Sequence, residues 1–489
     1  MQLGTLAAGT GIAVPDDTLV IGGLTSDSRA AGPGFLFFAL GGVQAHGARF
    51  AAKAVEQGAA AVLTDAEGAA LIEAGGGVPA PVIVAANPRL ALAKMAARFH
   101  GRQPEAMVAV TGTCGKTSVA YFVRQIFQRC GHNAASLGTL GTVTASGTSY
   151  GGLTTPDPVS LHAELAKLAA AGVTHAAMEA SSHGLDQYRL DGVELVAAGF
   201  TNLGRDHMDY HATEEEYLQA KLRLFRELLP SGGTVVVDPA QNKADRVLAV
   251  AGERGQQVLT VGERGRDLHL RNVQFSGFSQ VLTIDTPRGE YKVSLPLAGH
   301  FQVSNALVAA GLAIAAGEAP GAVMRALETL EGAPGRLELV GRKDNGALCF
   351  VDYAHKPDAV DNALAALRPF TTGRLIVVVG AGGDRDAGKR PLMGEAASRR
   401  ADVVIVTDDN PRTEDPALIR KAVMAGAPGA LEIGDRAEAI ATAVSMLESG
   451  DVLCVAGKGH ETGQIVGKTL LPFSDHDAVR TALAQGARS

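Results

Sequence analysis

The residues best suited to chemistry lie in one short stretch, GTCGKTS, at positions 112–118. A β-branched apolar run precedes this stretch and a helical pattern follows it, so the order is strand, loop, helix. Glycines let backbone N–H groups close around phosphate oxygens, and a helix N-terminus adds partial positive charge. Lys116 would reach the β- and γ-phosphates, and Thr117 would hold Mg²⁺. The stretch predicts a nucleotide site, although Val110 stands where the full phosphate-loop pattern has glycine.

Composition narrows the class of protein that carries this loop. A chain of 489 residues with 46% hydrophobic residues can bury the cores of about three domains. The net charge of −7 and the lack of a basic run argue against a nucleic-acid partner. No apolar run is long enough to span a membrane, and no signal peptide is evident. Four cysteines without zinc spacing fit reduced thiols, so we expect a cytoplasmic protein.

The elements that position the loop predict an α/β protein of three domains. Residues 1–102 form a small α/β N-terminal domain, whose first strand is expected at residues 18–22. Residues 103–335 form a central domain with a P-loop ATPase-type parallel sheet. Residues 336–489 alternate strands and helices as a Rossmann-like doubly wound domain does. Polar loops follow the strands of the last two domains, where open parallel sheets bind ligands.

Several further side chains could do chemistry at these strand ends. Glu179 closes a buried strand, and a capping box formed by Thr213 and Glu216 opens the helix that carries Lys221. The spacing of His207 and His211 resembles a zinc pair, but this segment is predicted to be a loop and suits Mg²⁺ better. From the residues alone, the polar segment 25–29 could simply form a helix cap or a turn, because Ser and Asp favour both.

Ten motifs in one order then make the chain similar to the Mur ligase family of bacterial cell-wall synthesis. They are TGTCGKTS, MEASSHGLDQYR, TNLGRDHMDYH, the helix lysine Lys221, GHFQVSNAL, APGRLE, VDYAHKPD, GGDRDAGKRPLM, TDDNPR and GKGHE. The resemblance implies an ATP-dependent ligase that adds meso-2,6-diaminopimelate to UDP-MurNAc-L-Ala-D-Glu through an acyl phosphate. It also implies a monomer that works in peptidoglycan synthesis without nucleic-acid or membrane partners.

The resemblance assigns the nucleotide and metal residues. The ATP contacts are expected to be Gly112, Thr113, Cys114, Gly115, Lys116, Thr117, Ser118, Asn305, Arg336 and Asp352. The Mg²⁺ ligands are expected to be Thr117, Glu179, His207 and Lys221, the last as a CO₂-derived carbamate. The catalytic residues are expected to be Lys116, Lys221, His207 and Arg336. Cys114 departs from the family's usual asparagine, and because backbone N–H groups do most of the loop's work, we expect a modest effect.

The resemblance also assigns two substrate sites. The UDP-MurNAc-dipeptide contacts are expected to be Ser26, Ser28, Val43, Gln44, Ala45, Thr154, Thr155, Ser181, Gln187 and Arg189. The diaminopimelate contacts are expected to be Arg385, Asp409, Asn410, Pro411, Arg412, Gly457 and Glu461. An arginine fork suits a carboxylate, so Arg412 can pair the far carboxylate of diaminopimelate that lysine lacks.

Two other functions remain open on the sequence. A folylpolyglutamate or cyanophycin synthetase would share the central ATP site but not the DNPR segment or the serines at 26 and 28. A nucleotide switch or plain NTPase would hydrolyse ATP without either acceptor.

Overall fold

A computed structural model describes residues 1–42, 45–204, 206–208, 210–276 and 279–486. The chain forms two compact units. The first contains residues 1–116, 123–264 and 311–319, and the second contains residues 117–122, 265–310 and 320–489. The α/β class is confirmed, because the first unit holds two parallel sheets and the second holds a third. None of the described helices has both the length and the apolar character that crossing a bilayer requires.

The first sheet has four parallel strands in the order β1-β2-β3-β4. The strands are β1 (Gly23–Thr25), β2 (Phe35–Phe38), β3 (Ala61–Thr64) and β4 (Val82–Val84). The helices are α1 (Leu3–Ala7), α2 (Ala51–Glu56), α3 (Ala66–Ala74) and α4 (Pro88–His100). The strand predicted at residues 18–22 is wrong, because that run pairs with the N-terminus instead: the Ile21 N–H donates to the Met1 carbonyl.

The second sheet carries the phosphate loop on a central strand. Its order is β12-β11-β10-β5-β9-β6-β7-β8, with parallel pairing from β12 to β6 and antiparallel pairing from β6 to β8. The strands are β5 (Ala106–Thr111), β6 (Ala134–Gly138), β7 (Gly141–Thr144), β8 (Gly147–Ser149), β9 (His175–Glu179), β10 (Ala197–Phe200), β11 (Thr234–Val237) and β12 (Gln257–Gly262). Residues 107–111 are all buried, as expected of a parallel strand covered on both faces.

The helices around this sheet are α5 (Lys116–Arg129), α6 (Pro158–Ala170), α7 (Ser182–Asp186), α8 (Glu214–Arg223) and α9 (Ala244–Arg254). Of these, α6, α7 and α8 begin at side-chain caps formed by Asp157, Ser181 and Thr213. The predicted cap of α8 is confirmed, because Thr213 Oγ1 accepts the Glu216 N–H at 3.1 Å. A π-helical turn, Leu224–Leu228, continues directly from α8.

The second unit contains an antiparallel β excursion, in a region where apolar and polar residues alternate along the sequence. Its strands are β13 (Leu268–Ser276), β14 (Ser279–Thr286) and β15 (Gly289–Leu295). Two helices follow along the chain, α10 (His300–Ala315) and α11 (Pro320–Leu327).

The last sheet has six strands in the order β16-β17-β21-β18-β19-β20, antiparallel only between β16 and β17. The strands are β16 (Glu338–Arg342), β17 (Leu348–Asp352), β18 (Leu375–Val379), β19 (Val403–Val406), β20 (Leu431–Glu432) and β21 (Val452–Ala456), and a hairpin of β22 (Gly463–Val466) and β23 (Thr469–Pro472) follows. The helices are α12 (Pro357–Leu367), α13 (Lys389–Arg400), α14 (Pro416–Met424), α15 (Arg436–Ser445) and α16 (Asp475–Gly486).

Candidate functional site

The phosphate loop joins the end of β5 to the start of α5, as the sequence predicts. Gly112 has φ +148° and Gly115 has φ +90°, a region of backbone conformation that favours glycine. A Cβ at Gly112 would also collide with the Thr201 hydroxyl at the end of the neighbouring strand β10. The loop therefore needs glycine at position 112 for both conformation and space. Thr117 and Ser118 lie in the first turn of α5 and are buried.

Asn202, which follows the neighbouring strand β10, fixes the conformation of the phosphate loop. Its side-chain Oδ1 accepts the Cys114 N–H at 3.0 Å, and its backbone carbonyl accepts the Thr113 N–H at 2.9 Å. The Thr201 hydroxyl donates to the Cys114 carbonyl at 2.6 Å. These bonds use the backbone of Cys114, whose side chain is exposed, so the loop's bracing does not depend on the residue type at 114.

Two lysines converge on one carbonyl inside this loop. Lys116 Nζ donates to the Gly112 carbonyl at 2.9 Å and to the Thr113 carbonyl at 3.0 Å. Lys221 Nζ donates to the same Gly112 carbonyl at 2.8 Å. Two ammonium groups on one acceptor repel each other, so this arrangement favours loss of a proton from the more buried lysine.

Lys221 is that more buried lysine, with 1% of its surface exposed. Burial lowers the pKa of Lys221 far below its usual range, and the nearby positive charge of Lys116 lowers it further. The Nζ also lies 4.3 Å from the centre of the Tyr217 ring, and the Tyr217 hydroxyl lies 3.2 Å from Thr113 Oγ1. Burial and the neighbouring Lys116 thus both disfavour the ammonium form of Lys221 beside the phosphate loop.

His207 follows β10 in the loop that the sequence predicts, and it has a left-handed backbone with φ +54°. Its Nε2 lies 3.6 Å from Asp206 Oδ2, and its ring centre lies 4.9 Å from that of His183 and 6.1 Å from that of Tyr217. His211 is buried, and its ring centre lies 5.2 Å from that of Tyr217.

Glu179 ends β9, which is paired with β5 on the other side. Its carboxylate is 2% exposed and accepts the Thr139 N–H at 2.7 Å and the Thr139 hydroxyl at 3.3 Å. The Thr139 hydroxyl lies 3.1 Å from that of Thr154. A buried carboxylate at this strand end provides a hard oxygen ligand of the kind that Mg²⁺ prefers.

Most of the side chains predicted to contact the dipeptide form one hydrogen-bonded group. Thr155 Oγ1 donates to the Glu179 carbonyl at 3.1 Å and lies 3.0 Å from Ser181 Oγ. Arg189 donates to the Thr155 carbonyl at 2.7 Å and to Gln187 Oε1 at 2.7 Å. Burial lowers the pKa of Arg189 from its ordinary value. The structure therefore brings together residues that lie far apart in the sequence.

Two of the remaining residues predicted for this substrate, Ser26 and Ser28, follow the first strand of the first sheet. Ser26 directly follows β1 and is exposed, and Ser28 opens a 3-10 helix that ends at Ala30. The predicted contacts Val43 and Gln44 lie outside the described residues, and Ala45 is exposed beside them. The position of β1 places Ser26 at the carboxyl end of a strand, where parallel sheets bind ligands.

The second unit gathers the residues predicted to contact adenosine around Arg336. The Arg336 guanidinium lies 4.8 Å from the centre of the Tyr353 ring. Asp352 accepts the Leu337 N–H at 2.6 Å, and burial raises the pKa of Asp352 to about 6 although Arg336 opposes the shift. Burial and then the charge of Arg336 lower the pKa of His460 to about 4.

Asn305 joins this group through Gln302. The Asn305 amide donates to Gln302 Oε1 at 3.1 Å, and the Gln302 amide donates to the Arg336 carbonyl at 3.3 Å. Both amide side chains are buried, so their orientation is fixed by these bonds.

A second polar cluster of this unit forms around Lys458, which is fully buried. Its Nζ donates to Asn410 Oδ1 at 3.1 Å and to Glu461 Oε2 at 3.0 Å. The Asn410 amide donates to the same Glu461 oxygen at 3.0 Å. The Asp-Asn-Pro-Arg and Gly-Lys-Gly-His-Glu segments, which follow β19 and β21, thus meet in one hydrogen-bonded cluster.

Arg412 lies beside this cluster, next to the buried Pro411, with a left-handed φ of +50°. Its guanidinium donates to the Gly383 carbonyl at 2.8 Å, and a Cβ at Gly457 would meet the Asp409 carboxylate at 2.5 Å. Arg385 is exposed and donates to the Asp384 carbonyl at 3.3 Å. All the residues predicted to contact diaminopimelate therefore follow strands of one sheet.

A buried ion pair anchors the segment that ends β21. Arg436 and Asp475 are both fully buried, and Arg436 Nε and Nη2 each donate to one Asp475 oxygen at 2.7 Å. Arg436 Nη2 also donates to the Ala456 carbonyl at 3.0 Å, one residue before Gly457. The starts of α15 and α16 are thereby tied to this loop.

Family models match all three parts of the chain. Residues 20–100 match the Mur ligase family catalytic domain, residues 110–313 match the Mur ligase middle domain, and residues 335–459 match the Mur ligase glutamate ligase domain. A curated relative from Agrobacterium fabrum is 59% identical over 95% of this chain and 94% of its own. The chain belongs to the Mur ligase family. That relative is named UDP-N-acetylmuramoyl-L-alanyl-D-glutamate–2,6-diaminopimelate ligase.

Further curated relatives and solved structures also show similarity to this Mur ligase. A protein of the same name from Zymomonas mobilis is 47% identical over 99% of both chains. A solved structure of a ligase with that name superposes with a TM-score of 0.73 at 34% identity, covering 96% of each chain. A Mycobacterium tuberculosis folylpolyglutamate synthase, at 19% identity and a TM-score of 0.62 over 76% of this chain, shares the fold.

Sequence reasoning missed several residues that this Mur ligase uses to shape its sites. Asn202 and Tyr217 brace the phosphate loop, and Lys458, Gln302 and His460 organise the clusters of the second unit. Asn202, Lys458 and His460 do follow strands in quoted motifs, which was the available signal. Nothing in the sequence distinguishes Tyr217 from an ordinary core tyrosine of an amphipathic helix.

Proposed function

We propose that this Mur ligase is an ATP-dependent amide-forming enzyme that adds meso-2,6-diaminopimelate to UDP-MurNAc-L-Ala-D-Glu. The observation that carries the proposal is the 59% identity, over 95% of the chain, to a ligase named for this reaction. The product, a UDP-MurNAc-tripeptide, would serve peptidoglycan synthesis. Because the four cysteines are thiols without zinc spacing, we also propose a cytoplasmic location, and we propose that the enzyme is a monomer.

The first step would activate the D-glutamyl carboxylate. A carboxylate is a poor electrophile, so the γ-phosphoryl group of ATP is transferred to it and gives an acyl phosphate with a good leaving group. Two anions must meet in this step, and positive charge must offset their repulsion. Lys116 at the head of α5 provides one such charge, and the backbone N–H groups of the loop provide partial charge.

The residues of the first unit fit Mg²⁺. Glu179 supplies a buried carboxylate oxygen at the end of β9, and His207 lies in the loop after β10, on the other side of β5, with Asp206 beside it. We assign Glu179, His207 and a modified Lys221 to magnesium, with Thr117 as a further ligand on sequence grounds. When bound, the metal would neutralise phosphate charge and orient the γ-phosphoryl group.

Lys221 is suited to carbamylation because burial and Lys116 lower the pKa of its amine and so favour the neutral form that reacts with CO₂. A neutral Nζ can attack CO₂: the N–C bond forms, the amine releases one proton to solvent, and a carbamate anion results. This change replaces a repelled cation beside Lys116 with an anion that the Lys116 ammonium attracts. The neighbouring cation Lys116, which disfavours the Lys221 ammonium, would favour the carbamate anion.

The two substrates would use different groups of side chains. The uridine diphosphate portion is assigned to Ser26, Ser28 and the segment 43–45, and the muramoyl-dipeptide to Thr154, Thr155, Ser181, Gln187 and Arg189. The Arg189 guanidinium already donates to two oxygens, so its fork is pre-oriented for a carboxylate. Asn305, Arg336 and Asp352 are assigned to adenosine and phosphate.

The amino-acid acceptor is assigned to the cluster around Lys458. Asn410 and Glu461 supply polar groups for the reacting end of diaminopimelate, whose amine attacks the acyl phosphate. Arg412 would pair the carboxylate at the far end, which L-lysine lacks. An arginine left without its partner when lysine binds can support roughly 10⁴-fold discrimination.

The decisive test is a panel of amino acids supplied with ATP and UDP-MurNAc-L-Ala-D-Glu, with the products identified by mass. We expect ligation of meso-diaminopimelate and phosphate release only when both acceptors are present. Equally efficient addition of L-lysine would refute the assignment of the amino acid, and phosphate release without acceptors would indicate a plain NTPase. Arg412→Lys keeps the charge but loses the fork, so its discrimination against lysine should fall.

The carbamate is tested separately with Lys221→Ala. We expect this variant to be nearly inactive and partly rescued by a short-chain carboxylate such as acetate. Full activity of the alanine variant without any added carboxylate would exclude the carbamate.

A further inference from the structure

Three potential metal ligands meet in the first unit, away from the proposed catalytic residues. They are His132, His175 and Glu318, whose ligating atoms all lie within 4.8 Å of one another. His132 Nε2 lies 2.6 Å from Glu318 Oε1, and His175 Nε2 lies 3.9 Å from the same oxygen. The two imidazole rings stack with centres 3.7 Å apart and planes inclined by 29°.

Each ligand comes from a different part of the fold. His132 follows the last turn of α5, His175 is the first residue of β9, and Glu318 lies between α10 and α11. Glu179 is at the opposite end of β9, four residues along, which places it about 13 Å from His175. The cluster therefore lies at the amino-terminal end of β9, whereas the phosphate loop lies at the carboxyl ends of the strands. The proposed ligation reaction makes no use of the cluster.

The hydrogen bond behind His175 prepares its ring for metal binding. The Thr174 hydroxyl lies 2.9 Å from His175 Nδ1 and can accept the proton of that nitrogen. Nε2 then keeps a lone pair that faces the Glu318 carboxylate. Two acceptors that face each other at 3.9 Å repel unless a cation lies between them. A second partner that fixes the tautomer and orientation of a histidine is characteristic of metal ligands.

We propose that His132 Nε2, His175 Nε2 and Glu318 Oε1 form a site for a divalent transition metal of the zinc class. Two imidazoles and one carboxylate are a ligand set that Zn²⁺ accepts with an open fourth position. Bond lengths of about 2.0–2.1 Å put tetrahedral ligand atoms roughly 3.3 Å apart. The separations of 2.6 and 3.9 Å lie on either side of that value, so small side-chain rotations would admit the metal.

Charge and access also favour a bound cation. Glu318 carries one negative charge, and Glu105 acts on His175 with a second. Side-chain exposures of 32% for His132, 13% for His175 and 12% for Glu318 leave a route for the ion from one side. A metal here would join the end of the phosphate-loop helix α5 to the sheet and to the segment after α10, so we assign it a structural role.

Cobalt is the probe for the test, because Co²⁺ in a four-coordinate nitrogen and oxygen site absorbs strongly in the visible range. The full-length protein is titrated with Co²⁺ in excess Mg²⁺, which occupies sites that prefer hard oxygen ligands. The variants are His132→Gln, His175→Gln and the near-isosteric Glu318→Gln. His476→Gln is the matched control, because His476 Nε2 also lies 2.6 Å from a glutamate oxygen, that of Glu338.

We expect one equivalent of Co²⁺ to give the four-coordinate spectrum in the wild-type protein and in the control. Each cluster variant should weaken the affinity by at least about tenfold, and Zn²⁺ should raise Tm only where the cluster is intact. Circular dichroism and Tm without metal identify any variant that fails to fold, and Glu318→Gln then carries the test. An unchanged Co²⁺ spectrum in the double variant His132→Gln/His175→Gln would overturn the proposal, as would a wild-type protein without a four-coordinate spectrum.

Discussion

Asp475→Asn should strongly destabilise the second unit, because it leaves the Arg436 guanidinium buried without a counter-charge. Both side chains are fully buried and share two hydrogen bonds of 2.7 Å. Removing one partner of such a pair costs about 3–5 kcal/mol of unfolding free energy. For a unit of this size, that corresponds to a Tm decrease of about 6–20 °C.

Asp361→Asn is the matched control for this change. Both carboxylate oxygens of Asp361 accept hydrogen bonds from Arg400. Because Arg400 is 43% exposed, water screens this pair, and the expected loss of unfolding free energy is below about 1 kcal/mol. Calorimetry would measure both variants, and hydrogen exchange of peptides from α15 and α16 would locate the effect. Equal effects of the two substitutions would refute the view that burial sets the strength of the Arg436–Asp475 pair.

Three further substitutions test the phosphate loop and the group around Arg336, the two regions that are assigned to ATP. Gly112→Ala should introduce about 1–3 kcal/mol of strain, because of its positive φ and its contact with Thr201, and should lower kcat/KM for ATP by roughly 10- to 100-fold. Tyr217→Phe removes the hydroxyl beside Thr113 and should lower kcat/KM by about fivefold, the effect of one hydrogen bond. The pKa of Asp352 is raised to about 6, so the folded state binds the extra proton between about pH 4 and 6, and stability should fall as pH rises through that window by about 3 kcal/mol. Asp352→Asn should flatten this part of the stability–pH curve.

Each of these outcomes can be contradicted by measurement. An unaltered KM for ATP in Gly112→Ala would show that the loop tolerates a Cβ. A kcat/KM of Tyr217→Phe equal to that of the wild type would show that the hydroxyl beside Thr113 makes no contribution. Parallel stability–pH curves for wild type and Asp352→Asn would exclude a raised pKa at that carboxyl.

The sequence predicted the features that follow from local pattern. The phosphate loop, the strand that ends at Glu179 and the cap of α8 are local patterns, and all three are present. The strand expected at residues 18–22 was wrong, because an apolar run does not reveal which segment it will pair with. The true strand β1 is only three residues long and carries a weaker signal.

The sequence could not predict which side chains meet across long separations. The two lysines on the Gly112 carbonyl are 105 positions apart, and their proximity adds to the effect of burial in lowering the pKa of Lys221. The cluster of His132, His175 and Glu318 has no spacing that a motif could capture. In the sequence, Lys458 cannot be distinguished from an ordinary lysine in a glycine-rich loop. Only the structure shows that it is fully buried against Glu461.

The π-helical turn Leu224–Leu228 has a consequence for how the protein can change in length. One residue of an α-helix corresponds to a rotation of about 100°, so losing a residue there would turn the Lys221 side chain away from Gly112 if the buried Leu229, which follows the turn, kept its packing. Single-residue deletions in this turn should therefore abolish activity even where the protein still folds. Surface loops elsewhere can gain or lose residues, but the number of residues in this turn sets how Lys221 is rotated relative to the buried core.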